Sequence, residues 1–547
     1  MQSRRDVLGM AVTGAVIATT AGVSFAGNSP TEPEPSKQKT EEKLTWAAGK
    51  EGQRVADLGN GYYLNPIMAG DHPDPSVLKD GDDYYMTHSS FDASPGLLLW
   101  HSRDLVNWTP ITTVLKEPLG TVFAVDLVKH DNRYYIYIPF IKAAWSTQLD
   151  QIASIWVIYA DSITGPWSEP VDLGIRGLID PGHVIGEDGE RYLFMSGINQ
   201  VQLSADGLST VGPVKKVYDG WRYPDDWVTE AYALEGPKLT RHGDWFYMIT
   251  AVGGTSGPAT GHMVICARSK SINGPWINCP HNPIVRTQKD DEKWWSRGHA
   301  TAVEGPDSAW YLIYHGYENG LRTLGRQTLL DPIRWRADGW PEALGGDLSS
   351  PLCMPIVLTS PQHGMARSDD FTVESFGTRW TFFGGPQELE RAKVTGHSLV
   401  LAGKGSSPQD SAPLTQMVGD PSYEVSVKME LTGEAKAGLL LFFTERLYVG
   451  MGHDGIKMTT YRGGTTSHWP EPAPKTRVLW LKIENRHNIV TFYYGLDGRT
   501  WTRHGVRSEV SGYNSNTIEY LASLRPALFC CGSGSVQFKK FSYRALS

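Results

Sequence analysis

Five stretches of the chain repeat one order of apolar and polar positions between about residues 60 and 350. In each stretch a polar residue precedes a short apolar segment, a polar or glycine turn and an aromatic-rich segment. The aromatic positions recur about every 50–65 residues, which is the period range of β-propeller blades. These positions are Tyr84, Tyr134, Tyr192, Phe246 and Tyr311. Long helical periodicity is absent, so the pattern predicts an all-β, five-bladed propeller.

The polar residues that open the repeats are expected to meet at one end of the propeller axis. A radial fold places equivalent positions of all blades around one centre. These residues are Asp74, Asp126, Asp180, Glu235 and His299. Clustered carboxylates are what acid–base cleavage of a glycosidic bond requires, so the pattern favours that chemistry.

A different pattern follows a predicted linker at 356–368. Residues 422–431 alternate polar and apolar side chains, and 437–443 and 478–483 are continuous apolar runs. Strands without repeats or long helices predict a β-sandwich over 369–547. The propeller is accordingly assigned to residues 59–355.

Residues 1–26 predict a twin-arginine signal peptide. Arg4 and Arg5 precede an apolar stretch of small residues, and Ser24-Phe25-Ala26 suits a signal peptidase. Residues 27–58 include a segment rich in Pro, Glu, Lys and Thr and are predicted to be a disordered spacer. We therefore expect an exported protein, periplasmic or secreted, without membrane attachment after cleavage.

The composition narrows the range of partners. A net charge of −8 without a basic stripe argues against nucleic acid. The chain has 19 Trp and 24 Tyr, whose ring faces suit sugars, although β-sheet cores account for most of them. Its five Cys form no zinc-binding spacing, so no metal ligand is predicted from them.

Taken together, several motifs resemble glycoside hydrolase family 43. They include His72-Pro73-Asp74-Pro75-Ser76, Glu235-Gly236-Pro237, Gly261-His262, Gly298-His299 and Gly325-Arg326-Gln327. The resemblance covers about residues 60–345 and implies a catalytic five-bladed propeller. Residues 369–547 look like the concanavalin A-like sandwich that follows this propeller in β-xylosidase-type members. One departure is Phe123-Ala124-Val125-Asp126, where the family often has Trp-Ala-Pro-Asp.

The resemblance implies a role for each of three carboxylates. Asp74 matches the general base that activates water, and Glu235 matches the general acid. Asp126 matches the residue that tunes and orients the acid. Asp180 is expected to have only a structural or hydrogen-bonding part. Because Pro75 follows Asp74, the sequence also predicts an extended, rigidly held Asp74.

Further residues are expected to bind substrate. Arg326 matches an arginine near the catalytic carboxylates, with an ordinary ion pair as the alternative. His299 matches a position that lies beside an axial calcium or water cluster in relatives, with a purely structural histidine as the alternative. Phe91 and Trp295 are aromatic candidates for stacking on sugar. The chemistry itself requires no cofactor, and a structural calcium near His299 is the one metal considered.

The predicted function is an inverting hydrolase that removes terminal β-D-xylosyl or α-L-arabinofuranosyl residues from oligosaccharides or polysaccharides. An endo-acting arabinanase and a β-galactan hydrolase of the same family are alternatives. A five-bladed furanosidase of the fructan-cleaving type is disfavoured, since its Asn-Asp-Pro-Asn motif is replaced here. A non-catalytic, sugar-binding propeller would need one of the three carboxylates to be missing.

Overall fold

The computed structural model describes residues 45–469 and 473–546. The predicted signal peptide and the first part of the spacer fall within residues 1–44 and lie outside the described residues. Across the described part, the only helices are short 3₁₀ turns, and none is long and apolar enough to cross a membrane. These turns are Lys50–Gly52, Ser196–Ile198, Arg322–Leu324, Pro386–Arg391 and Pro408–Asp410.

Residues 76–343 form five antiparallel blades, each built on four strands in chain order from the axis outward. The prediction of an all-β, five-bladed propeller is confirmed. Blade 1 contains Ser76–Asp80, Asp83–Thr87, Gly96–Ser102 and Thr109–Leu115; blade 2 contains Asp126–His130, Arg133–Ile141, Ser154–Ala160 and Val171–Arg176; blade 3 contains Gly182–Ile185, Arg191–Met195, Asn199–Leu203 and Thr210–Lys216; blade 4 contains Ala231–His242, Trp245–Gly253, Met263–Ser269 and Ile277–Asn278; blade 5 contains Trp294–Glu304, Trp310–Glu318, Arg326–Trp335 and Pro341–Ala343. Thr121–Val122 adds to blade 2 and Val285–Arg286 to blade 4.

Apolar side chains from neighbouring blades form a core between each pair of blades. Leu99 of blade 1 and Ile136 of blade 2 belong to one such cluster. Met86 of blade 1 and Ile313 of blade 5 belong to another, which closes the circle. Because every blade is covered on both faces, its middle strands are almost continuously apolar rather than alternating. The packed blades give the axial residues a rigid support.

The segment before the propeller is ordered, so the prediction of a disordered spacer over 27–58 is wrong for residues 45–58. Ala47–Ala48 pairs with Arg54–Val55. Arg54 is buried, and its Nη1 lies 2.7 Å from Oε2 of Glu318. Its backbone N–H donates to Oδ1 of Asp420 at 2.9 Å. This buried ion pair anchors the segment to blade 5 and to the C-terminal domain. Tyr62–Tyr63 then pairs with Leu352–Cys353, which joins the two ends of the propeller.

The C-terminal region is a β-sandwich, as predicted. Two long strands, Ser422–Thr444 and Arg525–Ala545, pair along nearly their whole length. Their inward side chains form an apolar core with Trp380, Leu481 and Phe541. The remaining strands are Thr381–Phe383, Ala392–Val394, Leu399–Ala402, Leu414–Thr415, Leu447–His453, Met458–Arg462, Thr465–His468, Val478–Arg486, Ile489–Gly495, Thr502–Arg503 and Ser508–Glu509.

The sandwich joins the propeller beside Phe91 and Asp92, which follow the second strand of blade 1. The short strand Ala93–Ser94 pairs with Thr381–Phe383 of the sandwich. The Tyr520 hydroxyl donates to Oδ2 of Asp92 at 2.9 Å. The ring centroid of Tyr520 lies 6.4 Å from that of Phe91. The sandwich therefore packs directly behind a predicted substrate-binding residue.

Candidate active site

Four blades carry a left-handed residue at the same end of the axis. The φ angles are 54° at Asp74, 57° at Asp180, 62° at Gly236 and 58° at His299. Such angles are uncommon for residues other than glycine and persist where the surroundings hold them, often at functional sites. The prediction of an extended Asp74 is therefore wrong. Its side-chain contacts outweigh the preference that Pro75 imposes.

The Asp74 carboxylate is buried and is held from three sides. Its Oδ1 lies 2.9 Å from Nη1 of Arg326, 3.1 Å from Nδ1 of His315 and 3.4 Å from Nδ1 of His299. The Ser89 hydroxyl donates to Oδ2 at 2.6 Å. The backbone N–H of Asp74 also donates to Nδ1 of His315 at 3.1 Å. These contacts fix both the backbone and the carboxylate.

The surroundings of Asp74 keep it ionised. Burial opposes the charge, but Arg326 and the contacts with His299 and His315 outweigh it, so the pKa of Asp74 is well below its usual value. Burial also lowers the pKa of His299 to about 4, and it lowers the pKa of His315 well below the ordinary value. At neutral pH, Asp74 is thus a carboxylate beside one cation and two neutral imidazoles.

Glu235 lies at an irregularity of the inner strand of blade 4. Pairing runs from Glu235 opposite Ala251 to Lys238 opposite Ile249, which leaves one extra residue on the inner strand. Such a bulge re-aims a side chain. Glu235 is 4 % exposed, and its Oε1 lies 3.6 Å from Nε2 of His262. The bulge places a buried carboxyl group at the axial end of the blade.

Asp180 lies next to this acid in the structure. The backbone N–H of Gly236, the residue after Glu235, donates to Oδ2 of Asp180 at 3.1 Å. Asp180 and Asp74 both precede a proline, and both lie two residues before their strands begin. Asp180 is therefore the positional equivalent of Asp74 and is in contact with the acid-bearing turn. Only a structural part was expected of it.

Asp126 does not occupy the same level of the axis. It is the first residue of its strand and is thus equivalent to Ser76, two positions beyond Asp74. Its Oδ1 lies 2.5 Å from Nζ of Lys238, and its Oδ2 accepts the backbone N–H of His183 at 2.6 Å. The expected place beside Glu235 requires correction, because these contacts hold the Asp126 carboxylate one layer deeper.

Two buried polar atoms beside Asp74 remain for a ligand. Nη2 of Arg326 and Nε2 of His299 have no hydrogen-bond partner among the described side chains and backbone. A guanidinium and an imidazole that already contact Asp74 are suitably placed for hydroxyl groups bound beside that carboxylate. The predicted proximity of Arg326 to Asp74 is observed, and His299 lies beside the same carboxylate.

The residues around His299 include both nitrogen and oxygen atoms. Its neighbours are His315, with ring centroids 6.0 Å apart, Gly236, which packs against the imidazole, and the Asp74 carboxylate, whose Oδ1 lies 3.4 Å from Nδ1. Calcium takes oxygen ligands, and Oδ1 of Asp74 is already bound by Arg326. In residues 45–469 and 473–546, no group of three or more His, Cys, Asp or Glu is placed to hold a metal.

The two aromatic candidates have different surroundings. Phe91 is 5 % exposed, and the guanidinium carbon of Arg326 lies 5.6 Å from its ring centroid. Trp295 is half-buried, and its indole N–H donates to the carbonyl of Asp290 at 2.9 Å. Phe91 is therefore linked to the Asp74 site through Arg326, whereas Trp295 contacts Asp290 and Arg322 in the loops around blade 5.

Sequence reasoning missed Ser89, His262 and His315. Ser89 follows the second strand of blade 1, and His315 lies within the second strand of blade 5, where no local motif marks them. His262 had a signal, since it belongs to the Gly261-His262 pair that resembles the family. Gly298 leaves space for it: a side chain there would come within 2.4 Å of the His262 ring.

A five-bladed propeller with buried carboxylates at one axial end is the arrangement of a glycoside hydrolase. The chain belongs to glycosyl hydrolases family 43, whose pattern matches residues 63–341. Residues 368–543 match the β-xylosidase C-terminal concanavalin A-like domain. Both parts of the predicted resemblance are confirmed.

Several proteins are similar in sequence to this chain. A xylan 1,3-β-xylosidase of a Vibrio species is 33 % identical over 318 residues, covering 51 % of this chain and 56 % of the relative. A non-reducing end α-L-arabinofuranosidase of Bacteroides ovatus is 31 % identical over 350 residues, or 60 % and 62 % of the two chains. These alignments thus span less than two thirds of either relative. A putative β-xylosidase of Escherichia coli is 26 % identical, covering 80 % of this chain and 90 % of the relative.

Solved structures support the fold. A family 43 protein of Bacillus licheniformis superposes with a TM-score of 0.78 at 24 % identity, covering 89 % of this chain and 100 % of that chain. A Bacteroides ovatus xyloglucan-locus protein of the same family has a TM-score of 0.78 at 24 % identity, with the same coverage. The two-domain arrangement is therefore shared with these proteins.

Proposed function

We propose that this protein is an inverting glycosidase that removes terminal β-D-xylosyl or α-L-arabinofuranosyl residues from oligosaccharides or polysaccharides. The observation that carries the proposal is the buried Asp74 carboxylate, kept ionised beside polar atoms of Arg326 and His299 that have no hydrogen-bond partner among the described residues. Family membership and the names of the relatives support the sugar class. Those names favour xylosides and arabinofuranosides over the endo-arabinanase, β-galactanase and binding-protein alternatives.

In the proposed reaction, Asp74 takes a proton from water as the water oxygen bonds to the anomeric carbon. Glu235 donates a proton to the leaving oxygen as the glycosidic bond breaks. Asp180 accepts the Gly236 N–H and orients the turn that carries Glu235. We assign to Asp180, rather than Asp126, the third carboxylate role.

The sugar is proposed to bind between Arg326, His299 and Phe91. Nη2 of Arg326 would donate to a sugar hydroxyl group. Nε2 of His299 would accept from one, because the neutral ring directs Nδ1 toward the Asp74 carboxylate. Phe91 would provide an apolar face for the ring, since it packs beside Arg326. Trp295 is retained as a more distant candidate for contacts with the remainder of the substrate.

The role of Glu235 is tested by substrates that differ in leaving group. A Glu235→Gln variant should lose ~10²–10⁴-fold in kcat/KM on an unactivated disaccharide, the contribution typical of general acid catalysis. On a dinitrophenyl xyloside or arabinofuranoside it should lose much less, because that leaving group needs no proton. Asp74→Asn should lose activity on both substrates, because water must be activated in each case. Equal losses of Glu235→Gln on both would exclude it as the acid.

Stereochemistry tests the reaction class. Proton NMR of the first-formed sugar should show the anomer opposite to that of the substrate, because water attacks from the face opposite the leaving group. A first product of retained configuration, or a glycosyl group bound covalently to Asp74, would contradict the inverting mechanism.

Export is proposed from the sequence of residues 1–26 alone. Replacing both Arg4 and Arg5 by Lys should leave unprocessed chain in the cytoplasm, because twin-arginine signals are read by a dedicated receptor. Mass spectrometry of the wild-type exported protein should find a new N-terminus after Ala26. An unchanged distribution of the double variant would contradict this route.

A further inference from the structure

A second ring of polar contacts lies one layer below the left-handed residues. Each inner strand contributes one position to it, two residues beyond the left-handed position or its equivalent. These positions are Ser76, Asp126, Gly182, Lys238 and Thr301. The Thr301 hydroxyl donates to the carbonyl of Pro75 at 2.7 Å, which ties blade 5 to the residue after Asp74.

Lys238 lies at the centre of this ring. Its Nζ lies 2.5 Å from Oδ1 of Asp126, 2.8 Å from the carbonyl of Val125 and 3.0 Å from the carbonyl of Pro181. An ammonium group has three protons, and three acceptors converge on it. Lys238 is 7 % exposed, so this group of blade 4 is bound to blades 2 and 3 in a buried environment.

Both carboxylate oxygens of Asp126 also accept hydrogen bonds from neighbouring blades. Its Oδ1 accepts the Ser76 hydroxyl at 3.3 Å, and its Oδ2 accepts the His183 N–H at 2.6 Å. The Ser76 hydroxyl in turn accepts the Leu127 N–H at 2.9 Å. Asp126 therefore links blades 1 and 3 to the ammonium group contributed by blade 4.

The ring is tightly packed at blade 3. A side chain on Gly182 would come within 1.8 Å of the carbonyl oxygen of Pro237, which belongs to blade 4. Backbone contacts backbone at this point, so the inner strands of blades 3 and 4 have a fixed separation. A shift of Lys238 would consequently be transmitted to both strands.

We propose that Lys238, held by Asp126, is a positioning residue that fixes Glu235 and Asp180 relative to Asp74. Lys238 is the third residue after Glu235, on the far side of the bulge, and it binds the carbonyl of Pro181, the residue after Asp180. Asp74 has separate anchors in Arg326 and Ser89. The ion pair therefore acts on the acid side of the site.

The inference rests on the proposed role of Glu235 as the acid and extends it. The geometry around Nζ also explains why a lysine, and not an arginine, occupies position 238. Its single ammonium reaches a carboxylate and two carbonyls that converge on one point, whereas the planar guanidinium of arginine directs its donors outward in a fixed fork. Removing one member of a buried pair leaves the other charge uncompensated, so the two residues should act as a unit.

The test compares Lys238→Met with the wild type on two substrates, the unactivated disaccharide and the dinitrophenyl glycoside. Both carry whichever sugar, xylose or arabinofuranose, the wild type cleaves with the higher kcat/KM. A small misplacement of a catalytic group costs about 10²-fold. We expect a loss of that order in kcat on the disaccharide, a loss several-fold smaller on the activated substrate, and little change in KM. Lys238→Arg keeps the positive charge, so its kcat on the disaccharide should lie between those of Lys238→Met and the wild type.

A further variant keeps the test decisive. The double variant Lys238→Met/Asp126→Leu removes both charges and avoids the unpaired carboxylate, so it should fold even where the single variant is unstable. It should show the same dependence on leaving group. Full activity of the double variant, or equal losses on both substrates, would overturn the positioning role.

Controls separate this inference from the proposed function. Glu388→Gln breaks another buried pair, with Arg391 in the sandwich, where Nη1 lies 2.7 Å from Oε2. It should lower the melting temperature without changing the ratio of the two activities. Glu235→Gln, measured in parallel, should show the strongest dependence on leaving group. If it does and Lys238→Met does not, only the positioning role fails; if neither does, the acid assignment fails and the inference with it.

Discussion

At the scale of single residues, Arg326 determines how readily Asp74 accepts a proton. Its guanidinium is the largest influence that lowers the pKa of Asp74 against the opposing effect of burial. Without it, less would oppose the effect of burial, so the pKa of Asp74 would rise from its present value and the carboxylate would become protonated at a higher pH. In the proposed reaction ionised Asp74 activates water, so the acidic limb of activity should depend on this contact.

The corresponding prediction concerns Arg326→Met. The acidic limb of kcat/KM against pH should move to higher pH, because kcat/KM reports ionisations of the unliganded enzyme. Arg326→Lys keeps a positive charge and should shift the limb less, although its affinity for substrate should also fall. A lower kcat/KM with an unchanged acidic limb would show that Arg326 contacts only the sugar.

A second residue-scale prediction distinguishes Asp180 from Asp126. Asp180→Asn removes a negative charge beside the acid-bearing turn, and that charge favours the protonated form of a neighbouring carboxyl group. The alkaline limb of kcat/KM should therefore move to lower pH. Asp126→Asn should leave that limb in place and instead lower stability, because it leaves the Lys238 ammonium without its anion. The opposite outcome would restore the role first expected of Asp126.

These residues also show what the sequence could and could not establish. Asp74, Glu235, Arg326 and His299 were identified from motifs, and the structure brings Asp74, Arg326 and His299 into contact. Asp126 was expected at the level of Asp74, whereas it lies two positions further along its strand, and we propose Asp180 for the third carboxylate role. An Asp-Pro pair opens both blade 1 and blade 3, whereas Asp126 has no proline after it. That signal favoured Asp180, but counting from the strand start required the structure.

At the scale of elements, the segment around Arg54 contacts both the propeller, through Glu318, and the sandwich, through Asp420. Glu318 of blade 5 receives Nη1 of Arg54 at 2.7 Å and Nζ of Lys293 at 2.6 Å. Despite burial, these cations lower the pKa of Glu318 to about 2. Composition predicted disorder for this segment, because a single arginine gives no local indication that its partner lies on a strand 264 residues away.

Glu318→Gln should therefore destabilise the protein. Removing one partner of a buried ion pair costs ~3–5 kcal/mol in the free energy of unfolding. Glu318 is depressed from its reference pKa of 4.5 to about 2, so its contribution is complete above the reference value and is lost as pH falls toward 2. Thermal unfolding should show a large difference between variant and wild type at pH 7 and a smaller one near pH 3.

A surface pair provides the matched control for this effect. Arg486 and Glu484 approach to 2.6 Å, but the arginine side chain is 54 % exposed. Glu484→Gln should change stability by ~0–1 kcal/mol, as is typical of exposed pairs. Equal effects of the two substitutions would contradict an anchoring role for Arg54 and Glu318.

At the scale of the whole molecule, the sandwich packs against Phe91, the proposed sugar-binding residue of blade 1. Tyr520 belongs to the sandwich, yet its hydroxyl binds Asp92 and its ring packs near Phe91. Phe91 in turn lies beside Arg326, which holds Asp74. The hydrophobic pattern predicted two β domains correctly, but it carried no information on which surfaces meet, because such contacts join residues far apart in the chain.

Tyr520→Ala should consequently raise KM several-fold while kcat falls less, because Phe91 loses its support and the reacting carboxylates do not. Tyr520→Phe keeps the ring and should have a smaller effect. Kinetics on the two aryl glycosides, together with a check of the melting temperature, would measure both. A propeller without residues 369–547 that is stable and has unchanged kinetics would contradict this dependence.

The ring formed by Asp126 and Lys238 has a consequence for the order of product release. Asp126, Lys238 and Thr301 also line a cavity of about 300 Å³ on the side of the ring away from the left-handed residues. In the proposed reaction, a sugar cleaved above this ring leaves by the way it entered, after the remainder of the chain has moved aside. The released monosaccharide is therefore the last species to leave, and it should act as a competitive inhibitor of the next turnover.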